Sequence, residues 1–169
     1  GEQDGCEGWL LGEPRQVVRY MCQMMNEARI GVGLGAAMIG YRGYLESLNY
    51  ARQRPQGRAP QQQQNPQSPA INIIEHADVK RMLLAQKAYV EGSVALCLFS
   101  ARLVDDSEHG HQPDSADLLE LLTPIVQSYP SLYAGIAHDL TIQVLGGSRY
   151  QRDYSVDQCY PAHRPHPNH

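Results

Sequence analysis

Charge is scarce in this chain. Of 169 residues, 19% are Asp, Glu, Lys or Arg, and the formal net charge is −4. No strong field draws the chain to nucleic acid or to an anionic membrane, because such binding needs a clustered basic face. Cysteine is sparse too. Cys6, Cys22, Cys97 and Cys159 lie far apart, with no C-x-x-C pair. A disulfide framework or a zinc knuckle is disfavoured, and reduced thiols in an intracellular, cytoplasmic setting are expected. The first residues, Gly1-Glu2-Gln3-Asp4-Gly5, are acidic and lack the apolar stretch of a signal peptide. An initiator Met is missing as well, which agrees with a fragment or a processed chain. The apolar stretch from Ile30 to Tyr41 lies between Arg29 and Arg42 and is too short to span a bilayer.

What is present is helical periodicity. The length fits one domain with one sizeable core. Residues 1–13 are Gly-rich and polar around Trp9-Leu10-Leu11, and read as the end of a preceding strand and a turn. Pro14 suits the first turn of a helix that runs to Arg54. Along it Val17, Val18, Met21, Met24, Met25, Ala28, Val32, Ala36 and Ile39 recur at three- and four-residue steps. Five glycines interrupt this helix: Gly31, Gly33, Gly35, Gly40 and Gly43. Each costs about 1 kcal/mol relative to Ala inside a helix. They make sense where another backbone or a ligand comes close. Gly31-x-Gly33-x-Gly35 is no dinucleotide fingerprint, because it sits inside a helical period with no strand before it.

Residues 55–70 are rich in Pro and Gln without apolar period, and read as a mobile loop between helices. A second helix is expected over 73–106. A third starts near Ser115, a suitable N-cap, and Pro130 is expected to break it and open another that runs to Val144. Gly146-Gly147 then stops the helix. A short turn around Val156 and a tail rich in Pro and His follow. Cys159, His163, His166 and His169 could suggest a metal, but Pro161, Pro165 and Pro167 keep them off one helical face, so no metal site is expected. The sum is an all-α antiparallel helical bundle over 14–169, after a short N-terminal remnant of a β domain over 1–13.

Several segments carry a resemblance. They are Gly12-Glu13-Pro14, Met24 through Gly35, Arg52 through Arg58, Glu75-His76-Ala77-Asp78-Val79, Lys87 through Gly92, and Gln143 through Gly147 with Tyr150. In this order and spacing the chain resembles the C-terminal helical domain of the acyl-CoA dehydrogenase family. The resemblance implies an FAD-dependent enzyme that dehydrogenates an acyl-CoA between its α and β carbons. A glutamate takes the α-proton while a hydride passes to the flavin. Homodimers or homotetramers and an electron-transfer flavoprotein partner are implied with it.

Residue by residue, the resemblance implies substrate contacts at Met25, Asn26 and Arg29. Arg54 matches an arginine that reaches the FAD pyrophosphate of a neighbouring subunit. Gln143, Gly146 and Gly147 match a loop that contacts the ADP part of FAD across the dimer. This sequence departs from the pattern at Gly57, where an aromatic is usual, at Arg149, where a glycine is, and at Pro161-Ala162, where an Arg-Asp pair is. The family's catalytic glutamate would follow His169, so none of the present residues is expected to be the base. The rival expectation, supported by the missing base and by Arg149 and Pro161-Ala162, is a non-catalytic helical dimerisation or binding module.

Overall fold

The computed structural model describes residues 5, 8–62, 64–110 and 114–150. Among the described residues there are three long helices: α1, Val17–Gln53; α2, Ala77–His109; and α3, Ser115–Leu145. Short 3-10 turns stand at Pro60–Gln62, Ile73–Glu75 and Gly146–Tyr150. Among the described residues there is no strand, only an isolated antiparallel bridge between Pro55 and Asn72. The fold is all-α, as the periodicity implies.

The boundaries differ in instructive ways. The first helix begins at Val17 rather than at Pro14. Arg15 has φ +70°, in the left-handed region, and a helix cannot continue through it. In the second, residues 73–75 wind as a 3-10 turn and His76 is extended, so α2 starts at Ala77. It closes at Gly110, whose φ of +68° suits a glycine C-cap. Ser115 is the first residue of α3, and Asp114 takes the N-cap position expected for it.

The largest correction concerns Pro130. It does not break the third helix: α3 runs unbroken through Pro124 and Pro130. A proline inside a helix removes one hydrogen bond and costs about 3 kcal/mol or more. For Pro130 the carbonyl left without its helical donor is that of Val126, four residues back. That carbonyl lies against Gly33 of α1.

The same register repeats along the bundle. A Cβ at Gly40 would lie 3.1 Å from the Cα of Ala134, and one at Gly43 would lie 3.0 Å from Thr141 Oγ1. Positions 33, 40 and 43 thus meet 126, 134 and 141, so α1 and α3 run parallel. Helix α2 packs antiparallel against both. Three of the five glycines therefore admit a neighbouring helix. Gly31 and Gly35 face open space.

Among the described residues the core has two apolar clusters. One, near the C-terminal end of α1, gathers Tyr44, Ile73, Met82, Leu83, Val90 and Val144. The other gathers Ile30, Cys97 and Val126. Buried polar side chains also lie between the helices, and several turn back onto their own helix. Ser47 donates to the Gly43 carbonyl at 2.9 Å. Thr141 is within 3.0 Å of the Ala137 carbonyl and 3.2 Å of Gln86 Oε1. The apolar residues at the start of α1, including Val17, Val18, Met21, Met24 and Met25, are exposed rather than core. By length and composition α2 could cross a membrane, yet it packs in this bundle against α1 and α3.

Candidate functional site

Several elements converge at the end of the bundle where α1 and α3 finish. Because these helices are parallel, both C-termini arrive there, and the start of α2 arrives between them. The Pro- and Gln-rich segment is closed at its base. Gln56 N–H bonds Ile71 O at 2.9 Å, and Ile73 N–H bonds Arg54 O at 2.9 Å. Arg58 holds the loop from within, donating to the carbonyls of Ser68 and Pro66.

A cavity of about 700 Å³ opens between these elements. One wall is the end of α1 and the following turn: Tyr50, Arg54, Gln56 and Gly57. The opposite wall is the end of α3 and its exit: Gln143, Val144, Leu145, Gly146, Gly147 and Ser148. The floor is Ile73, His76, Val79 and Met82. All four residues matched to cofactor binding, Arg54, Gln143, Gly146 and Gly147, therefore line one cavity. They come from sequence positions about ninety apart.

Its electrostatics favour an anion. No Asp or Glu is among the lining residues, while Arg54 is. Two helix C-termini oppose this with about half a negative charge each. The N-terminus of α2 works the other way, since its first-turn N–H groups have no helical acceptor. His76 sits at its N-cap and makes no side-chain cap bond. The exposed Arg54 guanidinium, with its permanent charge, is therefore the group that sets the sign. Arg54 is the extended C-cap of α1, and its N–H bonds Tyr50 O. Gly146 caps α3 at φ +54°, and neither it nor Gly147 would meet an atom within 4 Å of an added Cβ. Gly146 donates its own N–H to the Ile142 carbonyl, so the two glycines give the opening room rather than charge, and Arg54 supplies the group that suits a phosphate.

Some features were not legible beforehand. His76 was part of a matched segment without a role. Its Nε2 lies 2.7 Å from the Gln56 carbonyl, and as acceptor the carbonyl makes Nε2 the donor. The ring also lies 3.1 Å from the Cβ position of Gly57, which has φ +76°. Both facts account for glycine where an aromatic is usual: the turn needs positive φ, and the imidazole fills the space. Tyr50 and Ser148, whose hydroxyls are 2.9 Å apart, were also missed.

The residues matched to substrate do not join this cavity. Met25 is exposed on the early part of α1 and Arg29 is half-buried there. Asn26 is in α1, with its side chain outside the described set. Arg29 and Arg54 are about 38 Å apart at 1.5 Å per residue. The two sets of matched positions therefore lie in separate regions of one chain. The expected turn near Val156, the His-rich tail, and Arg149 and Pro161-Ala162 as departures lie outside the described side chains. Among the described residues no cluster of His, Cys, Asp and Glu could hold a metal. Cys97 is buried, and burial pushes its thiol up to about 11, so it is no nucleophile at neutral pH.

Comparison with known proteins bears on the family and the fold. The chain is 35% identical over 162 residues to a 3-methylmercaptopropionyl-CoA dehydrogenase from Ruegeria pomeroyi, covering 94% of this chain and 27% of that protein. It is 35% identical over 157 residues to a broad-specificity linear acyl-CoA dehydrogenase from Mycobacterium tuberculosis, covering 90% and 26%. The chain spans about a quarter of the length of these relatives. In fold it is similar to a butyryl-CoA dehydrogenase from Megasphaera elsdenii, with a TM-score of 0.72 at 19% identity, over 92% of this chain and 35% of that one. The family model for the acyl-CoA dehydrogenase C-terminal domain matches residues 18–167. By that match, the chain belongs to the acyl-CoA dehydrogenase family as its C-terminal domain.

Proposed function

We propose that this chain is the C-terminal part of an FAD-dependent acyl-CoA dehydrogenase that forms the α,β double bond of an acyl-CoA thioester. The observation that carries the reading is that Arg54, Gln143, Gly146 and Gly147 line one cavity. In this proposal Arg54 holds the diphosphate of FAD, and Gln143 with the Gly146-Gly147 turn contacts its ADP part. FAD, when bound, supplies the hydride acceptor. The chain's own residues bind and orient it. Met25, Asn26 and Arg29, on the far part of α1, are proposed to face the acyl-CoA. The separation of the two regions along α1 supports a homodimer or homotetramer, in which each chain serves its own substrate and a neighbour's flavin.

Residues 1–13 are proposed to end a preceding β domain, with the catalytic glutamate following His169. On this reading the 169-residue chain alone has no dehydrogenase activity, and electrons from the complete enzyme pass to an electron-transfer flavoprotein. The test is flavin content of the full-length protein after gel filtration. Wild type is expected to retain FAD, and Arg54→Ala and Gln143→Ala to lose it. A full-length protein that binds no FAD would favour the rival reading, a helical dimerisation module without catalysis.

A further inference from the structure

We propose that Tyr50 and Ser148 are positioning residues for a diphosphate ligand: their hydrogen bond sets the spacing between Arg54 and the Gly146-Gly147 turn. The inference rests on the reading of this cavity as the FAD diphosphate site.

The two hydroxyl oxygens are 2.9 Å apart, although the residues are 98 positions apart in sequence. Tyr50 is in the last turn of α1, and its carbonyl accepts the N–H of Arg54 at 2.9 Å. Ser148 directly follows Gly147, just beyond the C-cap of α3. Tyr50 therefore ties the residue that carries the cation to the turn that gives the opening room.

Both walls need such a tie. Arg54 is extended and lies past the end of α1. Gly146 and Gly147 bring no side chains, and nothing lies within 4 Å of their Cβ positions. A ligand contacted from two sides requires both walls at once. A hydrogen bond between them removes relative freedom before the ligand arrives, and that preorganisation appears as affinity. The tie is separable from packing. The Tyr50 ring packs against the core cluster that holds Ala51 and Ile73. Phenylalanine keeps that packing and removes only the hydroxyl.

The test titrates full-length apo-protein with FAD, ADP and FMN by calorimetry. Tyr50→Phe and Ser148→Ala are each expected to weaken FAD and ADP about three- to tenfold, the worth of one neutral hydrogen bond. The double variant is expected to lose no more than the larger single loss, because both remove one interaction. FMN, which lacks the diphosphate, is expected to respond equally to all variants. Ser148→Thr keeps a hydroxyl and is expected to keep wild-type affinity. A merely structural role would lower the melting temperature and affect FMN as well as ADP. Additive losses, or unchanged ADP affinity in Tyr50→Phe, would overturn the proposal. Arg54→Ala separates the two levels. If it loses FAD while Tyr50→Phe does not, the positioning role fails and the cavity reading stands. If Arg54→Ala binds FAD as wild type does, the cavity reading itself falls.

Discussion

The carbonyl of Val126 on α3 lies so close to Gly33 on α1 that an added Cβ would collide with it. Two sequence peculiarities meet at this point. Pro130 has no N–H for that carbonyl, and Gly33 has no side chain to exclude it. A Cα–H of glycine is a weak donor for such an oxygen, worth well under an ordinary hydrogen bond. The contact explains why a costly glycine and a costly proline both sit inside long helices here.

From this contact, Gly33→Ala should destabilise the chain by about 1–3 kcal/mol, the usual cost of overpacking. Gly31→Ala and Gly35→Ala should do the reverse and stabilise by about 0.5–1 kcal/mol, since their Cβ positions are open and alanine favours the helix. Urea unfolding followed by helical circular dichroism reads all three. Equal stability of the Gly33 and Gly31 variants would contradict the close approach of α1 and α3.

His138 makes stability depend on pH. It is fully buried on α3, and its Nδ1 lies 3.0 Å from the Ala134 carbonyl. Burial lowers its pKa below 6.5, opposed in part by the hydrogen bond to Ala134 and by the charges of Asp139 and Glu46. Above 6.5 the residue is neutral in both folded and unfolded states, so it adds no pH dependence. As pH falls below 6.5 the unfolded chain takes a proton that the folded one refuses, and stability drops until the folded pKa is passed. Melting temperature should therefore fall on acidification through this window. The fall should be smaller in His138→Gln, and an identical fall in both would remove His138 as its source.

Cys97 should resist thiol reagents. The buried thiol titrates near 11 and touches the Gly33 contact from α2. At pH 8 little thiolate forms, and reagent cannot reach it without opening the bundle. Peptide mapping by mass spectrometry after alkylation should find Cys97 unmodified in native protein and modified in urea. Rapid native labelling would mean that this end of the bundle opens readily.

Arg54→Ala should weaken FAD roughly ten- to hundredfold, because a charge-assisted phosphate contact is worth about 1.5–3 kcal/mol. If the contact crosses a subunit boundary, as proposed, dilution of wild type into monomers should mimic the substitution. The measurement is flavin content across protein concentrations. A change of acyl-chain preference with full flavin retention would move Arg54 out of the cofactor site.

Much of this molecule was legible locally. The spans of α1 and α2 follow from a 3.6-residue period bounded by Pro, Gly and polar loops, and these are properties of neighbouring residues. The continuity of α3 was not legible. The rule that Pro130 breaks a helix is local, whereas the Val126 carbonyl it frees is accommodated by Gly33 on another helix. The exposure of Val17, Val18, Met21, Met24 and Met25 was hidden for the same reason: periodicity shows which residues share a face, not whether anything covers it. Arg54, Gln143, Gly146 and Gly147 were found through family resemblance. Only the tertiary structure brings them to one place, because α1 and α3 run parallel and end together. The Tyr50–Ser148 bond, across 98 positions, and the imidazole of His76 over Gly57 exist only once that end is assembled. Sequence alone determines the helices through short-range periodicity and turn chemistry. Which helix ends meet, and so where a cavity forms, is decided by side chains packing across the bundle.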